Sequence, residues 1–135
     1  MIVIDASIAL AWTYDDERTD VVAAIFQRVA RFGAIAPAIW PMEIANSFNV
    51  AVRKERITRP YRDELVANFI RLAIEVEHQP STTYWYEILN LADRHNLTIY
   101  DASYLELAMR RQLPLATLDK ELIAAALAEG VAVLP

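Results

Sequence analysis

Apolar residues along the chain fall into two alternating kinds of run: short unbroken ones, and longer ones with a helical period. Val22, Ile25, Phe26 and Val29 recur at i, i+3, i+4 and i+7, marking one face of a helix that ends at Gly33. A second helix is predicted from about Pro41 to about Arg56. A third follows Thr58 and Pro60, with Val66, Phe69, Ile70 and Ala73 on one face. A fourth follows Ser81 or Thr82 and carries Tyr84, Ile88, Leu91 and Ala92. A fifth begins near Asp101, and a sixth covers KELIAAALAE (120–129) before Gly130.

Short apolar runs separate several of these helices: IVI (2–4), AIAPAI (34–39), LATL (115–118) and VAVL (131–134). IEVEH (74–78) alternates more than the rest and reads as an edge strand, whereas LTI (97–99) is too short for a strand. Strands alternating with helices predict an α/β domain with a mostly parallel sheet.

The 135 residues fit one compact domain (1–135), and 56% hydrophobic content supplies an ample core. The absence of cysteine excludes disulfides, a thiolate nucleophile and Cys-based zinc sites. The longest apolar run, AIAPAIWPM (34–42), is too short to span a bilayer, and MIVID lacks the basic start of a signal peptide. The expectation is a soluble, cytoplasmic protein with no membrane partner. A net charge of −5 opposes nucleic-acid binding unless bases and acids are segregated.

The acids carry the candidate chemistry. Asp5 follows IVI, Glu43 follows AIAPAIW, and Asp119 follows LATL, each where a strand hands over to a helix. Taken singly, each reads as a helix cap or first-turn acid. In a parallel sheet, however, the carboxyl ends of all strands share one edge, where ligands bind. Asp101 lies four and seven residues before Leu105 and Ala108 and so shares their inward stripe. Four crowded carboxylates repel one another unless a cation is present, and hard oxygen ligands suit Mg²⁺ or Mn²⁺. Phosphodiester hydrolysis by metal-activated water is the natural reaction of such a site.

At these residues the chain resembles the PIN-domain family, and within it the VapC-like toxins of toxin–antitoxin pairs. IVIDAS, PMEIAN, LTIYDASYLELA and LATLD occur in family order across essentially the whole chain. The resemblance implies a three-layer α/β/α sandwich, a Mg²⁺- or Mn²⁺-dependent endoribonuclease, an RNA substrate, a cognate antitoxin and a homodimer. It makes Asp5, Glu43, Asp101 and Asp119 the acidic quartet; within it we expect Asp5 and Asp101 to be direct ligands. Glu43 would bind directly or through a water, and Asp119 would complete the shell. Ser7 and Thr117 match hydroxyl positions beside the quartet, and Asn46 continues the polar strip of the Glu43 helix. The alternative is a non-catalytic module of the same fold whose acids are caps. A phosphatase of small phosphoesters, or a DNA nuclease, is a third reading.

RKERITRPYR (53–62) gathers Arg53, Lys54 and Arg56 beside the Glu43 helix, a candidate phosphate-contacting rim, and Arg110 and Arg111 carry the same ambiguity. His78 and His95 are the only histidines, and neither is a candidate base. Trp12 and Trp40 read as core. In TTYWYEIL (82–89) the three consecutive aromatics cannot all be buried, and one or two could mark a protein interface. Gly33 and Gly130 begin no phosphate-cradling loop, which excludes P-loop and dinucleotide-binding sites. Ser7 stands where a haloacid-dehalogenase-type phosphatase requires a second aspartate.

Overall fold

A computed structural model describes residues 1–134. Its elements in chain order are β1 (Ile2–Ile4), α1 (Ala6–Ala11), a 3₁₀ turn (Asp15–Glu17), α2 (Asp20–Phe32), β2 (Ala34–Pro37), α3 (Ile39–Arg53), α4 (Arg59–Leu72) and β3 (Glu75–Glu77). There follow α5 (Ser81–Thr83), a π-helical turn (Tyr84–Ile88), α6 (Leu89–His95), α7 (Ile99–Arg111), β4 (Leu115–Ala116), α8 (Lys120–Ala128) and β5 (Val133–Leu134).

The five strands form one sheet of order β3-β2-β1-β4-β5, and every pairing is parallel. From β1 the chain steps outward to β2 and β3, then returns across the sheet to β4 on the other side of β1. Right-handed crossovers in opposite directions place α1–α4 on one face and α5–α8 on the other, the expected α/β/α sandwich. The reversal of direction falls between β1 and β4. A crevice opens at such a point beyond the strands' carboxyl ends.

Sheet strands buried on both faces are uniformly apolar, as Ile2, Val3, Ile4, Ile35, Leu115 and Ala116 are, all fully buried. IEVEH supplies the edge strand β3, and LTI joins no strand; its Ile99 opens α7. Several boundaries differ from the sequence reading. α3 starts at Ile39, because the strand ends at Pro37 once its last ladder position is filled, and it stops at Arg53. α7 starts at Ile99, two residues before Asp101, because the Thr98 hydroxyl accepts from the Asp101 amide at 3.1 Å. Thr58 caps α4 as expected, but neither Ser81 nor Thr82 caps α5, whose N-cap is Pro80.

Trp12 and Trp40 are core residues, 7% and 6% exposed. Phe69 of α4 packs between them and Phe48, with ring centroids 6.4 Å from Trp12, 5.8 Å from Trp40 and 5.9 Å from Phe48. Leu65 is buried beside it, and the Tyr61 hydroxyl donates to the Thr13 carbonyl at 3.1 Å. The rest of α4 is largely exposed, so Leu65 and Phe69 fasten it to the body. Phe69→Ala is therefore expected to lower the unfolding free energy by about 3 kcal/mol and to strip α4 amides of hydrogen-exchange protection first. A loss under about 1 kcal/mol in denaturant titration would show that α4 is held elsewhere.

Candidate active site

Asp5 ends β1 and is 5% exposed, although its side chain is a carboxylate. Its Oδ1 accepts from the Ser7 hydroxyl at 2.6 Å and from the Ile8 amide at 3.1 Å, and its Oδ2 accepts from the Thr117 hydroxyl. Those hydroxyls are committed in turn: Ser7 Oγ accepts from the Leu118 amide and Thr117 Oγ1 from the Asp119 amide, each at 3.0 Å. The Asp5 amide also donates to the Ala116 carbonyl at 3.2 Å. Asp5 thus clasps the β4–α8 turn to the end of β1. A carboxylate offers about four acceptor positions, so three donors leave one open, on Oδ2.

Asp119 follows β4 and caps α8, accepting from the Leu122 amide at 3.0 Å. Glu43 and Asp101 cap nothing. The N-cap of α3 is Ala38, which makes no side-chain cap, and α7 is capped by Thr98. The hydroxyl of Tyr104, itself 1% exposed, donates to Glu43 Oε1 at 2.5 Å. That bond ties α3 to α7 across the crevice. Sequence reasoning missed Tyr104. Its position one turn beyond Asp101, on the same inward stripe, was the available signal.

Burial is the largest influence on three of these carboxyls, and it raises each above its ordinary value. At Asp5 the Ser7, Thr117 and Ile8 hydrogen bonds oppose the rise while the charge of Asp101 adds to it. At Glu43 the Tyr104 hydrogen bond opposes it and the charges of Asp101 and Asp5 add. At Asp101 the charge of Asp119 adds most after burial, Thr98 opposes, and Glu121 adds further. The quartet is therefore electrostatically linked across four elements. Among the described residues, none of its members pairs with a Lys, Arg or His.

Nor do three Asp, Glu or His side chains converge, among the described residues, as a finished metal cage. The donor set nonetheless fits a hard divalent cation: all its atoms are carboxylate oxygens, three of its members carry raised pKa values, and no protein cation neutralises them. A Tyr104-oriented Glu43 and a hydroxyl-oriented Asp5 are the kind of outer support that metal ligands receive.

The other candidates fall elsewhere. Asn46 is exposed one turn along α3 from Glu43. Arg53, Lys54 and Arg56 are exposed at the end of that helix and just past it. Arg110 pairs with Glu77 at 2.8 Å and Glu106 at 2.7 Å, and Arg111 with Glu77 at 3.2 Å. Both sit at the far end of α7, about 14 Å along its axis from Asp101. His95 Nε2 lies 2.7 Å from Glu129 Oε1, and that bond first, with Arg94, holds Glu129 below the usual carboxylate range.

A carboxyl raised in the fold takes up protons more readily there than in the unfolded chain, so its ionisation opposes folding. That penalty is absent below the unfolded value and grows as pH rises through the folded one. Asp101→Asn removes it at one position. In EDTA at pH 7.5 the variant is expected to be more stable than the parent by roughly 0.5–2 kcal/mol, with the gap closing toward pH 4. Thermal melts across that range decide it. An equal or lower melting temperature at pH 7.5 would mean that Asp101 is stabilised by its surroundings.

The PIN domain family matches residues 2–128. Among curated proteins none matches the sequence. Among solved structures, the fold is similar to FitAcB from Neisseria gonorrhoeae, with a TM-score of 0.71 and 17% identity over 100% of this chain and 97% of that one. It is similar to PAE2754 from Pyrobaculum aerophilum at a TM-score of 0.67 and 20% identity, covering 98% and 87%. It is also similar to VapC20 from Mycobacterium tuberculosis, a sarcin-ricin loop cleaving toxin, at 0.66 and 16%, covering 93% and 95%. Identities this low speak for the fold alone, and the family match carries the assignment: the chain belongs to the PIN-domain family.

Proposed function

We propose that this protein is a divalent-metal-dependent endoribonuclease, the toxin of a toxin–antitoxin pair, with Asp5, Glu43, Asp101 and Asp119 as its site. One observation carries the reading: Glu43 and Asp101 have no capping role, yet both are half-buried, raised in pKa and coupled to Asp5 without a counter-charge. The reading of the acids as helix caps and first-turn acids gives Asp5, Asp119 and Asp101 a local role as well, and leaves Glu43, beyond the first turn of α3, unexplained.

Asp5, through its open Oδ2 position, and Asp101 would hold Mg²⁺ or Mn²⁺ directly, with Glu43 and Asp119 completing the shell. Held there, such an ion would supply Lewis-acid polarisation of the phosphate and would make water easier to deprotonate. The chain does the rest. Tyr104 occupies Glu43 Oε1, which leaves Oε2 to orient the attacking water and accept its proton; a raised carboxyl is better matched to that task near neutral pH. Ser7 and Thr117 hold Asp5 in one orientation. Arg53, Lys54 and Arg56 offer the phosphate-binding charge that an acidic protein otherwise lacks.

An antitoxin has a surface to engage. The groove between α3 and α4 is lined by Pro41, Ile44, Phe48, Val66 and Ile70, and Ile70 is 73% exposed. A partner helix with an apolar stripe fits such a groove. Trp85 and Tyr86 are 65% and 69% exposed on the opposite layer, which suits a homodimer contact.

Purified protein incubated with structured RNA is expected to cleave it with Mn²⁺ or Mg²⁺ and not with EDTA. Asp101→Asn should lose at least about a hundredfold in rate, and Tyr104→Phe about ten- to a hundredfold. Equal cleavage by Asp101→Asn, or cleavage in EDTA, would sink the assignment. Metal should also raise the parent's melting temperature and leave that of Asp101→Asn nearly unmoved.

A further inference from the structure

We propose that the groove beside Glu43 is a track for one strand of RNA, leading from the acids to a cationic end at Lys54 and Arg56. The inference rests on the nuclease reading above and adds where the rest of the substrate lies. The groove encloses about 420 Å³ and is lined by Glu43, Asn46, Ser47 and Lys54 of α3 and its C-cap, together with Tyr14 and Arg56. Residues 43, 46, 47, 50 and 54 recur at the spacing of one helix face, so their chemistry is laid out in a line. A carboxylate stands at one end, an amide and a hydroxyl in the middle, and an ammonium at the other.

The cationic end is built in advance. Glu55 adopts a left-handed conformation, φ 57°, and the Arg56 amide returns to the Ala51 carbonyl at 2.8 Å. This reversal brings the Arg56 guanidinium over the Tyr14 ring, 3.9 Å from its centroid. Stacking there fixes a side chain that would otherwise lose mobility on binding phosphate. Arg56 also approaches Asp16 at 3.7 Å and Glu17 at 3.6 Å, but those pairs are exposed and weakly held, and a phosphate competes with them. Lys54 makes no ion pair among the described residues.

The layout selects a single strand. A duplex presents two rows of phosphate and needs a second row of cations. Here the 3₁₀ turn Asp15–Glu17 carries three consecutive acids, two of them beside Arg56, so the cationic end is confined to Lys54 and Arg56 and, among the described residues, no second row of cations stands next to it. Eleven residues of helix from Glu43 to Lys54 span about 16 Å. At the roughly 3.4 Å rise of stacked nucleotides the track holds no more than about five. Asn46 and Ser47 lie where a base or ribose passes, and the two offer both donors and acceptors.

The test combines binding with a length series. Fluorescence anisotropy of labelled single-stranded RNA on the cleavage-silent Asp101→Asn chain is compared with the same chain carrying Lys54→Ala or Arg56→Ala. Each removal is expected to weaken binding severalfold and to reduce the slope of log affinity against log salt by about 0.7, while Arg28→Ala, an equal charge change on α2, does neither. A duplex of the same sequence should bind more weakly than the single strand. In the cleaving parent, KM should improve as RNA is lengthened on one side of the scissile bond by up to about five nucleotides, and Lys54→Ala should abolish that gain. Affinity and salt slope unmoved by either substitution, equal loss with Arg28→Ala, or preference for the duplex would each overturn the track. Absence of cleavage by the parent would instead overturn the nuclease reading, with the anisotropy result still deciding the track.

Discussion

The carboxylate of Asp5 is the constraint around which the molecule is arranged. A nearly buried anion at the end of the central strand is tolerable only if donors surround it, and the chain brings three: one from α1, one hydroxyl two residues on, and one from the turn after β4. The third comes from a segment 112 residues away in sequence. Satisfying one charge therefore joins the first strand to the last third of the chain, at the place where the sheet reverses direction. The crevice and its acidic floor are consequences of that junction.

The same junction explains why the site is acidic without being neutral. Hydrogen bonds favour the ionised form of Asp5, yet burial outweighs them, and Asp101 and Glu43 feel the charges of their neighbours in addition. Among the described residues no Lys or Arg pairs with this cluster. The chain instead spends its arginines elsewhere: Arg110 and Arg111 on Glu77, Arg94 on Glu129, Arg56 over Tyr14. Negative charge is thereby concentrated at the strand ends and positive charge beyond the end of α3. A protein of net charge −5 thereby carries exposed cationic side chains on one flank of an acidic crevice.

Much of this was legible in the sequence because the signals are local. Uniformly apolar triplets such as IVI can be strands only where both faces are covered, and their regular alternation with helices left few topologies. Strand-end acids were informative because parallel pairing brings all such ends together. What could not be read were the features set by tertiary contact. The Thr98 hydroxyl, not Asp101, fixes the start of α7, and the π-helical turn over Tyr84–Ile88 breaks the 3.6-residue period that predicted an ordinary helix. Tyr104 shares a buried face with apolar residues, and nothing local marks its hydroxyl. Its hydroxyl matters only because α3, 61 residues earlier, delivers Glu43 to it.

Capping and chemistry are usually weighed as rival explanations of an acid at a helix start, but here they share atoms. Asp5 uses Oδ1 to cap α1 and leaves a position on Oδ2, and Asp119 caps α8 with its Oδ1 alone. A cap needs one oxygen in a fixed direction, which orients the other oxygen as well. The helix start therefore acts as a jig, fixing the second oxygen at the sheet edge without further scaffolding. Glu43 and Asp101 lack that support and receive it differently, Glu43 from a phenol on the opposing helix and Asp101 from its place in the first turn of α7. Two carboxylates fixed by backbone amides and two placed by helix packing differ in freedom, so on the proposed reading a cation entering the site would have only the second pair to draw in.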